Sequence, residues 1–320
     1  MARKSKVSQD MEEWLELFPT AVQRKRYGSL LEVYNQPGTI EEAAFQHSVL
    51  CQAFLPYRNP GDAVRKYEQK QGNAILLLKA GELLNPKTES YQEVGIPYGA
   101  KARLVLAYIN TMAIRTQSPV ISIEDTLTAF VRSLGLDTGG RTIKAVKDQL
   151  NRLAGASLKI GFIINDSTAR TANLEIMDGL ELWLSNDDNQ RVLWPGVVKL
   201  SEKYYENLMD HAVPLDERTL AALANNAMAL DIYAWLTQRL HRVPHNRPAF
   251  VSWKALSDQF GGSNYTRISK FRHNFRTSLK LVQQFYREAR LTDDNRGLTL
   301  YTSPTPIQKT SLLIKGSPKK

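Results

Sequence analysis

Cysteine is almost missing from this chain: its 320 residues include one, Cys51. A lone thiol excludes an intramolecular disulfide and any zinc site built on cysteine pairs, and it suits a reducing cytoplasm. Cys51 has no basic neighbour in sequence and reads as a buried packing residue. Long apolar runs are missing too. No segment approaches the roughly 20 residues a spanning helix needs, so no membrane contact is expected. The opening MARKSKVSQDMEEW starts basic and turns acidic without an apolar stretch, unlike a signal peptide. Histidine is scarce, with 5 residues, and no H-x-H or H-E-x-x-H pair occurs. His241 and His245 stand four apart in HRVPH, but Pro244 interrupts the helix that would align them. No G-x-x-x-x-G-K-[ST] loop is present; GGRTIKAVK has glycines and a lysine at the wrong spacing, so an ATPase or helicase is not expected. A nicking enzyme would set a nucleophilic tyrosine beside a metal cluster. Tyr204, Tyr205, Tyr265 and Tyr286 are there, but the histidine cluster is not, and Tyr204 and Tyr205 in SEKYYENL read as helix packing. The chain is expected to be no enzyme and to use neither cofactor nor metal.

Acid is also in short supply. There are 32 Asp and Glu against 42 Lys and Arg, a net charge of +10, which points to an anionic partner. The imbalance concentrates in one stretch. From Arg267 to Arg290 the bases are Arg267, Lys270, Arg272, Arg276, Lys280, Arg287 and Arg290, and the only acid is Glu288. Within ISKFRHNFRTSLKLVQQFY, Ile268, Phe271, Phe275, Leu279, Val282 and Phe285 recur every three or four residues, the spacing of a helix with one buried face. Ser269, His273, Arg276, Thr277 and Lys280 fall opposite, with Lys270 and Arg272 at the flanks. Solvated helix faces usually mix signs, because opposite charges four apart support the helix. This face does not mix them. A merely solvated surface is the competing reading; a face that meets double-stranded DNA fits better. Arg and Lys can donate to guanine, Ser and Thr to base edge or phosphate, and flanking cations such as Arg267 and Arg290 suit phosphate.

The length suits about two domains, and the 42% hydrophobic content is enough for real cores. Residues 1–95 are predicted to be mainly helical. DMEEWLELFPTAVQRKRYGSLLEVY and TIEEAAFQHSVLCQAFL have mixed three-and-four spacing, the latter with Thr39 and Glu42 as a capping box. NAILLLKAG is a predicted buried strand. From residue 96 one pattern runs twice with little identity, two unrelated helix–strand segments being the competing reading. GAKARLVLAYINTMAIRT, SPVISIEDTLTAFVRSLG, RTIKAVKDQLNRLAG and ASLKIGFII give helix, strand, helix, helix, strand, the third helix stopped by Gly155. ALDIYAWLTQRLHRV, RPAFVSWKALSDQFGG, the cationic helix and REARLTDDNRGLTLYTSP repeat that order and add a second strand. The expected fold class is mostly α with short β hairpins (α+β). Two tandem winged-helix domains, 96–200 and 201–307, would come after the helical region, and a basic tail, 308–320, would close the chain. In such units the third helix enters the major groove.

The two units differ in character. The third helix of the first has Ile143, Val146, Leu150 and Leu153 inward. Arg141, Lys144, Lys147 and Arg152 are basic, with Asp148 outward among them. The next segment, NLEIMDGLELWLSNDDNQRVLW, carries Glu175, Asp178, Glu181, Asp187 and Asp188 between apolar residues: a poor wing, and a better protein-contact or dimerisation edge. The second unit has the stronger cationic helix and a short wing with Arg296. The candidate DNA-binding residues are therefore Arg267, Ser269, Lys270, Arg272, His273, Arg276, Thr277, Lys280 and Arg296, with Arg141, Lys144 and Lys147 from the first unit. Thr138, Gly139 and Gly140 precede the first unit's third helix, where glycines would either admit a phosphate to the helix amides or simply make a tight turn.

These segments resemble a known family. VGIPYGAKARLVLAYINTMAIRTQS and LGLDTGGRTIKAVKDQLNRL, with the upstream LPYRNP and NAILLLKAGEL, are similar to the RepA family of plasmid-encoded replication initiators. So are HAVPLDERTLAALANNAMALDIYAWLTQRL, VSWKALSDQFG and GLTLYTSPTPI. The resemblance covers roughly residues 50–307. It implies a protein that binds repeated origin sites (iterons), helps open the duplex there, and recruits a host initiator and the replicative helicase. It also implies a homodimer in one state that represses its own gene. A winged-helix transcription regulator without initiation activity is the alternative.

Overall fold

A computed structural model describes residues 28–307 apart from 34, 37, 72–73, 86–87, 125, 166–167, 182–196, 262–264 and 266. Of the first predicted helix, residues 28–33 are helical; the rest lies outside the described residues, as does the tail 308–320. The remainder of the N-terminal region is built of strands, which corrects the expectation of a mainly helical one. The capping-box segment forms a turn, in which the Glu42 N–H donates to Thr39 O at 3.3 Å, and then the strand β1 (Ala43–His47). Its residues are buried on both faces, and over so short a run that pattern cannot be told from a helix by spacing. Four more strands come next: β2 (Lys66–Gln71), β3 (Ala74–Lys79), β4 (Glu82–Asn85) and β5 (Ser90–Glu93). β3 is the predicted NAILLLKAG strand, and it buries Leu76 and Leu78.

The centre is the helix α1 (Gly99–Thr116), which ends on Gln117 in the left-handed region. Ten of its residues, including Arg103, Asn110 and Thr111, are buried; a helix covered this completely belongs in the middle of a core. Beyond it run β6 (Val120–Ser122), α2 (Leu127–Ser133), α3 (Gly140–Gly155), β7 (Ser157–Asn165), β8 (Thr168–Glu175), β9 (Met177–Glu181) and β10 (Val197–Leu200). Gly155 does not stop α3 by a left-handed turn, since the cap is Ala156 in extended conformation. Its role is close approach: a Cβ added to it would stand 2.5 Å from Val94 Cγ2.

The chain continues through α4 (Glu202–His211), β11 (Ala212–Asp216), α5 (Glu217–Leu223) and α6 (Ala227–Leu240), then β12 (Ala249–Ser252) and α7 (Trp253–Leu256), which runs on as a π-helical turn to Gly261. The last elements are α8 (Ile268–Phe285), β13 (Leu291–Asp293) and β14 (Gly297–Leu300).

The sheets are small and antiparallel. They run β2-β3-β7-β8, β6-β10-β9 and β12-β14-β13, with β1-β11 and β4-β5 as pairs. The acidic segment expected to serve as a protein-contact edge is divided between two sheets. Its start finishes β8, which pairs with β7, and β9 pairs with β10; residues 182–196 lie outside the described part. The result is a mixed α/β molecule. One connected core runs from Ala44 to Leu300, joined at its middle where α1 meets α6. There Arg103 donates from Nε and Nη2 to the two carboxylate oxygens of Asp231, both at 2.7 Å. Among the described residues no helix is long and apolar enough to cross a membrane.

Candidate nucleic-acid interface

The apolar stripe of α8 is buried as its spacing requires. Phe271, Phe275, Leu279, Val282 and Phe285 are all inside. Phe275 meets Trp253 and Phe260 edge-on, with ring centroids 5.9 and 5.1 Å apart. Ile268 departs from the expectation: it is 43% exposed and lines the outward groove. Ser278 is buried as well and accepts a hydrogen bond from Asn226 Nδ2 at 3.3 Å. The helix begins at Arg267 with no side-chain cap and no acid in its first turn.

The outward face is a shallow groove of about 400 Å³ lined by Ile268, Ser269, Arg272, His273, Arg276, Thr277 and Lys280. Arg267, Ser269, Lys270, His273, Thr277 and Lys280 are exposed. The two arginines of the groove are not loose. Trp253, from α7, lies beneath both, with Arg272 5.7 Å and Arg276 4.8 Å from its ring centroid. Arg276 Nε donates to Asp293 Oδ2 at 2.7 Å and Nη2 to Asp294 O at 3.2 Å. Arg296 reaches the neighbouring acid, Asp294, at 3.2 Å and lies 5.8 Å from the Phe250 ring centroid. The backbone N–H groups of Arg296 and Gly297, donating to Asp294, hold its carboxyl below the usual carboxylate range. Sequence spacing put Ser269, His273, Arg276, Thr277 and Lys280 on this face, Arg272 at its flank and Ile268 on the opposite one. It missed Trp253 and the two acids, which come from separate elements, and the TDDNRG turn was the only signal of the latter.

On α3, Arg141 and Lys144 are exposed and Lys147 is half-buried. Arg152 is buried and engaged, bonding Asp148 at 2.9 Å and Asp62 at 2.9 Å with its guanidinium 5.2 Å from the Tyr98 ring centroid. Asp148, expected outward among cations, is turned to Arg152. Ahead of α3, neither Gly139 nor Gly140 has a positive φ. Asp137 takes the Gly139 N–H at 3.1 Å and the Thr142 hydroxyl at 2.9 Å, so the observed contacts are those of a turn. Elsewhere, Cys51 is fully buried and Tyr204 is buried with its hydroxyl donating to Asn110 Oδ1 at 3.0 Å. His241 bonds Thr237 O at 3.0 Å just past the end of α6. Among the described residues no group of three or more His, Cys, Asp or Glu could hold a metal ion.

Comparison with known proteins gives one family and several structural likenesses. The family model described as plasmid-encoded RepA protein matches residues 96–255. That match spans α1 to α7 and stops just before α8. A crystal structure of domains 2 and 3 of RctB, a selenomethionine derivative, is similar at a TM-score of 0.47 and 11% identity, covering 78% of this chain and 86% of that one. A second structure of the same RctB domains gives 0.44 and 10%, covering 79% and 94%. No curated protein matches the sequence.

Proposed function

The chain belongs to the family of plasmid-encoded RepA proteins, and from that premise we propose that it is a replication initiator that binds double-stranded origin DNA. α8 is the main reader in this proposal. The observation that carries it is the outward face of α8, where exposed Arg267, Lys270 and Lys280 flank a polar groove on a helix that contains no acid. A cationic helix face with Ser, Thr and His between the bases suits a major groove, because cations meet phosphate while the shorter side chains reach base edges. The order α6, β12, α7, α8, β13, β14 supports a winged-helix reading of this half, with the β13–β14 turn as wing. The order α1, β6, α2, α3 supports a related unit upstream, whose Arg141, Lys144 and Lys147 would hold backbone. In this reading the two units engage repeated sites, help open the duplex and recruit a host initiator and the replicative helicase. The protein is a homodimer in one state, represses its own gene and performs no catalysis itself.

The test is a footprint of the purified protein on DNA flanking its own gene, against unrelated DNA, across a salt series. Regularly spaced protections that survive near-physiological salt are expected. Equal protection of both DNAs that vanishes with salt would leave only phosphate coating, and the initiator proposal would fail at its first step.

A further inference from the structure

We propose that Asp293 is a positioning residue that fixes Arg276 for two-pronged recognition of a single guanine, so that the β13–β14 turn sets the sequence selectivity of α8. This rests on the proposal that α8 meets DNA, and adds which base class is read and by which constellation.

The geometry starts from the guanidinium. Its Nε donates to Asp293 Oδ2 at 2.7 Å and its Nη2 to Asp294 O at 3.2 Å. Both bonds leave from the same edge of the planar group. Of the five N–H donors an arginine carries, the two on Nη1 and one on Nη2 stay available, and one from each nitrogen makes the parallel pair at its far end. The flat face lies 4.8 Å from the Trp253 ring centroid. Trp253 is itself tied to the turn, since its indole N–H donates to the same Asp294 carbonyl at 2.8 Å and its backbone N–H to Arg296 O at 2.9 Å. Asp294 stiffens the turn from inside by accepting from the Arg296 and Gly297 amides at 2.7 and 3.0 Å. Gly297 lets the turn sit this close, because a Cβ there would stand 2.1 Å from Val251 O. An arginine on a helix surface normally samples many rotamers. This one is bounded by a ring below, a carboxylate at one side and a carbonyl beside it.

Such confinement has two physical consequences. A fork already held in one orientation loses little freedom when it binds, and two parallel N–H groups match O6 and N7 of guanine, whereas adenine places a donor where guanine has O6. A carboxylate at 2.7 Å also makes Arg276 a poor phosphate clamp, because it already neutralises the charge and repels the phosphate. The pair is half-exposed on both sides, 38% and 39%, where an ion pair contributes little to stability. Its consequence therefore lies in the direction of the fork rather than in the fold.

The experiment measures binding of the full chain to its footprinted site and to a set with each base pair changed singly, for wild type, Asp293→Asn, Arg276→Ala and Lys280→Ala. One guanine position is expected at which wild type discriminates by about 10- to 100-fold. Arg276→Ala should erase discrimination at that position alone. Asp293→Asn should weaken it at the same position by several-fold, with the thermal midpoint and the binding of unrelated DNA held near wild type. The proposal is overturned if Asp293→Asn keeps full discrimination where Arg276→Ala loses it, or if Arg276→Ala weakens all sequences equally and lowers the salt slope, which is the signature of a phosphate contact. If none of the three variants alters binding, α8 does not meet DNA and the proposal falls together with the one it rests on.

Discussion

His47 is a titratable ring held away from water. It sits on β1 at 1% exposure, stacked on Tyr204 with ring centroids 5.3 Å apart. Its Nδ1 accepts the Val49 N–H at 3.2 Å, so Nε2 carries the proton and donates to Asn207 Oδ1 at 2.8 Å. A second proton on Nδ1 would face an N–H donor. Burial above all, with His211 nearby, lowers the pKa from 6.5 to about 4 against the opposing bond to Asn207. The unfolded chain therefore binds a proton that the folded one refuses between those two values. Stability should fall as the pH drops through that window and level off below it, by roughly 3 kcal/mol from this group. Urea unfolding at pH 7 and pH 4.5, comparing wild type with His47→Gln, isolates the term from the carboxylates. The variant should lose markedly less stability across the interval, and an identical loss would remove His47 as the cause. None of this was visible in the sequence, where His47 lies inside TIEEAAFQHSVL and looks like part of a helix.

At the scale of elements, the spacing of apolar residues located α1, α3, α6 and α8 well, because each carries a three-and-four stripe long enough to exclude a strand. It failed on β1, whose residues are covered on both sides, and on β2, where Tyr67 is the one apolar ring among polar residues. β2 buries only Gln69, held by amide bonds to Asp258 O at 2.8 Å and Gln259 O at 2.6 Å. A strand fixed by a glutamine leaves no hydrophobic period to find. The junction between α1 and α6 was hidden for a similar reason: Arg103 reads as one more surface base in GAKARLVL. In the structure it donates to Asp231, to the carbonyls of Leu55, Pro56 and Gly99, and lies over the Tyr57 ring. Removing one member of a buried ion pair strands the other charge, at a cost of about 3–5 kcal/mol, whereas replacing both with apolar groups costs far less. Arg103→Met and Asp231→Leu should each lower stability by that amount, with the double variant recovering most of it in a denaturant-melt cycle. If the double variant is as unstable as the sum of the singles, the two helices are not coupled through this pair.

For the whole molecule, net charge and usable charge differ. The chain carries +10, and that excess was what first pointed to an anionic partner. Yet Arg65, Arg103, Arg115, Arg152, Arg218, Arg276 and Arg296 are each paired with an acid. On the two cationic helices, the exposed bases are Lys270 and Lys280 of α8 with Arg267 at its start, and Arg141 and Lys144 of α3. Each phosphate contact contributes about 0.9 to the slope of log affinity against log salt. If those five bases meet one duplex the slope should be on the order of 4–5, well short of what the total base count suggests. Lys280→Ala should lower it by about one unit and weaken all sequences alike. Lys144→Ala decides how far the interface extends. A similar drop would put α3 and α8 on the same stretch of backbone. An unchanged slope, beside a lowered one for Lys280→Ala, would confine the DNA to the α8 half and leave the cations of α3 without a phosphate to meet.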